Sequence, residues 1–230
     1  MKEKEKIKAM FDSIARRYDM LNHLLSLGLD KGWRRRLVGF LAAGSQRRIL
    51  DLATGTGDLA IKLVDLNPDE IVASDISENM LDIARKKVKA YGLENKIKIM
   101  QADAERLPFA DNSFDAVTIA FGIRNVENLA ASLSEIIRVL DNNGMVAILE
   151  FSKPKNIITG SLFYLYFRFI LPLIGGLISG SYKAYKYLPL SVAAFPDGEL
   201  FLALLKEAGF KNVRQRRMTG GIVSLYTAEK

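Results

Sequence analysis

The apolar positions of this chain change period as it runs, from helical spacing to short dense runs and back. Leu and Met recur at helical intervals through residues 10–43, with Trp33 near the end, whereas residues 1–9 are charged and predict a frayed start. Residues 47–53 predict a first strand, followed by a helical pattern to about residue 66. Residues 70–76 predict a second strand. Ser77 then stands where an N-cap belongs, before a helix to about Tyr91 that Gly92 ends. Alternation at 96–102 and the β-rich run 113–121 predict strands three and four. Residues 127–140 form an amphipathic pattern closed by a turn, Asp-Asn-Asn-Gly at 141–144, and 145–151 predict strand five. A helix at 199–208 stops at Gly209, and the segments 211–218 and 222–228 flank Gly220-Gly221 as a hairpin.

Strands alternate with helices until that hairpin. The fold class is therefore α/β: a mostly parallel sheet with helices on both faces and one antiparallel strand. A ligand belongs at the carboxyl ends of the strands. The whole chain, 1–230, reads as one domain, with a helical cap over 1–43 and an apolar insertion over 155–195. There is no internal repeat.

The run 157–180 is long enough to span a bilayer. Arg168 within it, and breakers at Pro172 and Gly175-Gly176, oppose a span. Three readings stand beside it: a buried helix pair, an apolar lid over an apolar substrate, or a surface that touches membrane.

Composition narrows the chemistry. Of 230 residues, 49% are hydrophobic and 26% charged, which fits a soluble globular domain. The absence of cysteine excludes disulfides, thiolate metal sites and cysteine nucleophiles. One histidine, His23, argues against a histidine metal centre or a Ser-His-Asp triad, and no metal is expected. The net charge of +7 suits an anionic membrane surface; no Lys/Arg cluster is interleaved with aromatics, so nucleic acid is not expected as a partner. The start Met-Lys-Glu-Lys-Glu-Lys has no apolar core of a signal peptide, so a cytoplasmic location is expected.

The first predicted strand runs through Asp51 into Ala-Thr-Gly-Thr-Gly, with Thr54, Gly55 and Gly57 opening a helix. Such a turn seats a cofactor on free backbone N–H groups and the positive end of the helix dipole. Gly55-x-Gly57-x-x-Ala60 with Asp75 also fits an NAD site. Asp51 beside the turn would repel a pyrophosphate and welcome an ammonium group. A carboxylate at Asp103, after strand three, can accept from an exocyclic amine such as that of adenine.

With the terminal hairpin, this pattern resembles the class I S-adenosylmethionine (SAM) methyltransferases. The resemblance implies SAM as cofactor, S-adenosylhomocysteine as product, and seven strands in the order 3-2-1-4-5-7-6. Asp75, with Ile76 beside it, would take the ribose hydroxyls. Asp103 and Ala104 would frame the adenine, the turn at 54–57 would take the methionine end, and Tyr18 would cover the cofactor.

The flanks carry a narrower resemblance. Phe-Asp-x-Ile-Ala-x-x-Tyr-Asp-x-Leu-Asn at 11–22, Leu-Ser-Leu-Gly at 25–28, Ala-Phe-Gly-Ile-Arg-Asn-Val at 120–126, Leu-Glu-Phe-Ser-Lys-Pro at 149–154 and Tyr-Leu-Pro-x-Ser at 187–191 closely resemble the ubiquinone/menaquinone biosynthesis C-methyltransferases, the UbiE/MenG family. Asp30 and Ala120 depart from it, standing where members often have His and some have Ser. The family implies methylation of a ring carbon in a prenylated hydroquinone, demethylmenaquinol to menaquinol foremost, at the inner face of the cell membrane. In that reading Arg124 stabilises a phenolate, Asn125 holds a ring oxygen, and Asp19 or His23 accepts the proton. Another aromatic acceptor, a non-catalytic binding protein, and a homo-oligomer remain open.

Overall fold

The sheet is assembled around β1 (Arg48–Leu52), whose neighbours β2 (Glu70–Asp75) and β4 (Phe114–Ala120) both run parallel to it. The computed structural model describes residues 3–44, 46–170, 173 and 182–230. Adding β3 (Ile97–Gln101), β5 (Leu140–Phe151), β6 (Lys211–Met218) and β7 (Val223–Glu229) gives the order β3-β2-β1-β4-β5-β7-β6. Strand β7 is antiparallel to both of its neighbours. This is the order and the single reversed strand that the sequence implied.

Period-two alternation sends successive residues to opposite faces, and each face has its own core. Leu50, Leu52, Val117 and Ile148 point to one side, against α5 (Leu129–Val139) and α8 (Glu199–Glu207). Ile49, Ala73, Ala116 and Ala147 point to the other, against α2 (Leu29–Leu41) and α3 (Asp58–Leu63). Helix α4 (Glu78–Ala90) is capped by the Ser77 hydroxyl, which accepts from Met80 N–H at 3.2 Å, as the sequence predicts.

Three expectations need correction. Residues 3–9 are not frayed: α1 is continuous over Glu3–Leu25, because Met10, Phe11 and Ile14 seat it on a third apolar cluster with Met80 and Val192. The cap is two helices, broken where Leu27 and Gly28 adopt φ of 53° and 74°. The segment 141–144 does not separate α5 from a strand but lies within β5, where the register with β4 shifts between Phe114 and Ala116 and Asn143 takes φ 67°.

The apolar insertion forms α6 (Ile157–Leu165), a π-helical turn (Tyr166–Ile170) and α7 (Tyr182–Ala194) with Pro189 inside it. Residues 171–172 and 174–181 of the apolar run lie outside the described residues. Among the described residues no single helix is long and apolar enough to cross a membrane.

Candidate active site

The chain order reverses between β1 and β4, and a crevice opens at their carboxyl ends. The loops leaving these strands touch. A Cβ at Gly122 would stand 2.4 Å from the Ala53 Cβ, so only glycine fits there. Gly55, at φ 56°, turns its N–H onto Asp75 Oδ2 at 2.9 Å, and the Ser77 N–H meets Asp75 Oδ1 at 2.9 Å. Burial raises the Asp75 pKa, against the pull of the Ser77, Gly55 and Ile76 amides. A cavity of about 100 Å³ opens here, bordered by Gly55, Asp75, Ile76, Asp103 and Ala104. Ser74 also borders it, and its buried hydroxyl has no protein partner.

Three residues expected at the methionine end, Asp51, Thr54 and Gly57, do not border this cavity. Asp51 is buried, its oxygens accepting from Thr54 Oγ1 at 2.6 Å and Thr118 Oγ1 at 2.7 Å. Desolvation pushes its pKa up to about 6, despite those two hydroxyls. It shapes the turn from below and does not border the cavity, because the Thr54 hydroxyl closes over it. Gly57 sits at the start of α3, where a Cβ would stand 3.2 Å from the Ala84 Cβ; it serves helix packing.

A second, larger cavity of about 360 Å³ adjoins the first. Its walls are mostly apolar, drawn from α1, Trp33, Phe151, Phe163 and Tyr166. Phe11, Tyr18 and Phe121 border both cavities and form the wall between them. Phe121 adopts φ 60°, a conformation rarely taken by a bulky residue and common at functional sites. Its ring packs against Phe151 with centroids 4.8 Å apart and against Trp33 at 5.9 Å. Burial raises the Tyr18 phenol above its ordinary value, so the hydroxyl stays protonated.

Arg124 and Asn125 sit on the short 3-10 turn after β4. Arg124 borders the larger cavity and Asn125 the smaller. Arg124 Nη1 donates to Glu150 Oε1 at 2.8 Å, its backbone N–H to Glu150 Oε2 at 3.3 Å, and its Nε to Ser191 Oγ at 3.3 Å. It is therefore half of a buried ion pair. Burial raises the Glu150 pKa while Arg124 holds it down. Asn125 Oδ1 accepts from the Tyr187 hydroxyl at 3.1 Å, which links the two cavities through polar side chains.

Asp19 and His23 do not reach the larger cavity. Asp19 accepts from the Thr56 hydroxyl and from Lys87 Nζ, the latter at 2.9 Å. His23 Nδ1 meets Asp30 Oδ2 at 2.8 Å, and its Nε2 lies 3.6 Å from Asp58. Their place on α1 turns both toward α2, α3 and α4, where they tie the cap to the sheet domain. His23, Asp30 and Asp58 converge closely enough to ligate a metal, but Arg34 pairs with Asp30 and Lys87 with Asp58. Those cations already neutralise the acids. Burial opposes ionisation of Asp30, yet the Ser26 hydroxyl, Arg34 and His23 hold its pKa below the usual carboxylate range.

Four residues of the site were given no role by the sequence reading. Lys4 Nζ lies 2.7 Å from Asp103 Oδ2 and 2.9 Å from Glu105 Oε2, closing α1 over the smaller cavity. Arg34 borders the larger cavity with a buried Nε that has no hydrogen-bond partner and a guanidinium 5.8 Å from the Phe121 ring centroid. Tyr187 and Glu150 complete the set. Arg34, Glu150 and Tyr187 stand within family-like motifs, and Glu150 gave a second signal as a charge inside the apolar run of strand five.

Strand order, glycine turn, strand-end acids and paired cavities define a class I SAM-dependent methyltransferase. A SAM-dependent methyltransferase from Thermotoga maritima shares the fold, with a TM-score of 0.68 at 19% identity over 96% of this chain and 99% of that one. The model of the ubiE/COQ5 methyltransferase family matches residues 1–230, and the chain belongs to that family. It is 45% identical to a demethylmenaquinone methyltransferase of Bacteroides fragilis over 230 residues, all of this chain and 94% of that protein. It is 47% identical to a ubiquinone/menaquinone biosynthesis C-methyltransferase UbiE of Geotalea uraniireducens, over 98% of this chain and 97% of that protein. The dinucleotide alternative and the non-catalytic one fall away with this membership.

Proposed function

We propose that this enzyme transfers the methyl group of SAM to a ring carbon of a prenylated hydroquinone, converting demethylmenaquinol to menaquinol. The observation that carries the reading is the pairing of cavities: a small one edged with acids and a large apolar one, divided only by Phe11, Tyr18 and Phe121.

The smaller cavity suits SAM in the chemistry of its donors. Asp75 retains acceptor capacity for a ribose diol beyond its two backbone partners. Ile76 and Ala104 offer apolar surface to an adenine, and Asp103 an acceptor for its amine. Bound SAM supplies an electrophilic methyl carried on a sulfonium.

The chain's own residues do the rest. A neutral phenol is a weak carbon nucleophile, with a pKa near ~10. The acceptor enters with one hydroxyl ionised, its proton left to bulk water, and the charge spreads onto the ortho carbon. Once that carbon has taken the methyl group and the C–S bond has broken, it releases its own hydrogen as a proton to restore the aromatic ring. Arg124 borders the acceptor cavity; Glu150, the Phe121 carbonyl and Ser191 engage its Nη1 and Nε, and its Nη2 stabilises the ionised oxygen. Arg34, which borders the same cavity and pairs with Asp30, adds a second guanidinium beside the ring. Asn125, steadied by Tyr187, keeps the turn after β4 in register with the ring. Anion and sulfonium lose their charges together, so the apolar walls that exclude water favour the transfer. Tail burial contributes about 0.8 kcal/mol per methylene.

The test is direct. Purified protein is incubated with methyl-labelled SAM and short-chain demethylmenaquinol, and the product is examined by mass spectrometry with ring fragmentation. One labelled methyl on a ring carbon is expected. No transfer to demethylmenaquinol or a demethylated benzoquinol overturns the proposal.

A further inference from the structure

Among the described residues twelve large apolar side chains are exposed, and they are not spread evenly. Tyr91 and Leu200 stand apart. The other ten lie on two stretches: the end of α1 with the start of α2, including Met20, Leu24 and Leu27, and the apolar insertion, including Phe169, Ile170 and Leu190. The two stretches are joined, since the Tyr166 hydroxyl donates to the Leu25 carbonyl at 2.6 Å. The larger cavity is bordered by both, through Leu27 and Leu29 on one and Phe163 and Tyr166 on the other.

The insertion is basic: residues 152–196 contain Lys153, Lys155, Arg168, Lys183 and Lys186 and no acid, so most of the chain's excess of +7 sits in this fifth of the sequence. Lys153 pairs with Asp197 at 3.2 Å, while Lys155, Arg168 and Lys186 are exposed. Arg16, Met20 and Leu24 are all exposed at four-residue spacing on α1 and share a face, as do Lys186 and Leu190 on α7. Arg168 lies over the Tyr164 and Phe169 rings, at 5.5 Å and 5.7 Å from their centroids.

We propose that this face docks on an anionic lipid bilayer, with the larger cavity open toward the hydrocarbon. Exposed apolar groups beside basic ones match the two layers of such a surface, acyl chains below and negative headgroups above. A second copy of the chain fits less well, because a two-fold contact would set these basic residues against their own counterparts. The inference rests on the lipid-borne acceptor proposed above. It adds the route: the prenyl tail slides from the membrane into the cavity between α1 and the insertion without crossing water.

The experiment is co-sedimentation of the full chain with vesicles of phosphatidylcholine alone or mixed with phosphatidylglycerol, at low and high salt. The wild type is expected to sediment with the anionic vesicles at least tenfold more than with the neutral ones, and salt to weaken that binding. The triple variant Leu24→Glu/Phe169→Glu/Leu190→Glu, whose substituted positions do not border either cavity, is expected to lose at least tenfold in vesicle binding. Its methylation of a tail-less, water-soluble acceptor should be unchanged, which also shows that it folds. Equal binding to both vesicle types, or undiminished binding by the variant, overturns the inference. So does a wild-type dimer in solution that the triple substitution dissociates. Vesicle binding without methylation of any quinol would instead sink the functional proposal and leave the docking face standing.

Discussion

Glu150 Oε1 lies 2.8 Å from Arg124 Nη1, with the Arg124 side chain 5% exposed and that of Glu150 not exposed at all. The pair is nearly neutral as a unit. A buried pair of this kind steers an acceptor by the direction of its remaining N–H groups more than by net charge. Glu150 also accepts from the Phe151 N–H, which fixes it to the end of β5. The orientation of Arg124 is therefore set by the sheet.

Replacing Glu150 with Gln keeps the shape and removes the negative charge. Breaking a buried pair from one side costs about 3–5 kcal/mol, so a lower melting temperature is expected. The folded enzyme should show a second effect. An uncompensated Arg124 favours the phenolate, and the rising limb of the single-turnover pH profile should move down by about one unit or more. A lower melting temperature with an unmoved profile would reduce Glu150 to a purely structural part.

Asp75 holds both the Gly55 and the Ser77 amide. Asp75→Ala removes the acceptor proposed for the ribose and loosens the glycine turn at once. SAM affinity measured by calorimetry should fall at least tenfold, about 1.4 kcal/mol. Undiminished binding would place the cofactor elsewhere.

Lys4 and an adenine amine compete for Asp103. The Lys4–Asp103 pair is partly exposed, and such pairs contribute about 0.2–1 kcal/mol. Lys4→Ala should therefore tighten SAM binding by about fivefold at most, and speed its association in stopped-flow mixing. Weaker binding would mean that Lys4 holds the nucleoside in place.

Asp51 makes stability depend on pH. Its pKa is about 6 in the folded protein, against about 3.9 in an unfolded chain. The native state binds the proton more tightly, so this contribution is complete below about pH 4 and is lost as pH rises through about 6. The loss is about 3 kcal/mol. Asp51→Asn should remove that decline, which urea titrations at about pH 4 and pH 7 would register. An equal decline in both proteins would assign it to other groups.

Strands β1, β2 and β4 were legible in the sequence as short apolar runs, β3 by alternation, and the polar edge strand β6 only through the Gly220-Gly221 turn after it. Asp75, Asp103 and Gly55 were legible because strand ends in an α/β fold point at the crevice. Asp51 misled the reading, since an acid beside a glycine turn can face the ligand or, as here, two threonines beneath it. Asp19 and His23 misled for a related reason: helical periodicity places residues on a face without saying what that face meets. Lys4 was missed because a charged terminus carries no apolar signal, and Arg34 because its role depends on α2 crossing beside Phe121.

The partition made by Phe11, Tyr18 and Phe121 is only one side chain deep. Adjusting it to suit a wider or narrower ring would disturb the nucleoside on its far side. Selectivity among acceptors is then most freely tuned at the distal end of the pocket, where α6 and α7 can be recast without repercussion for the methyl donor.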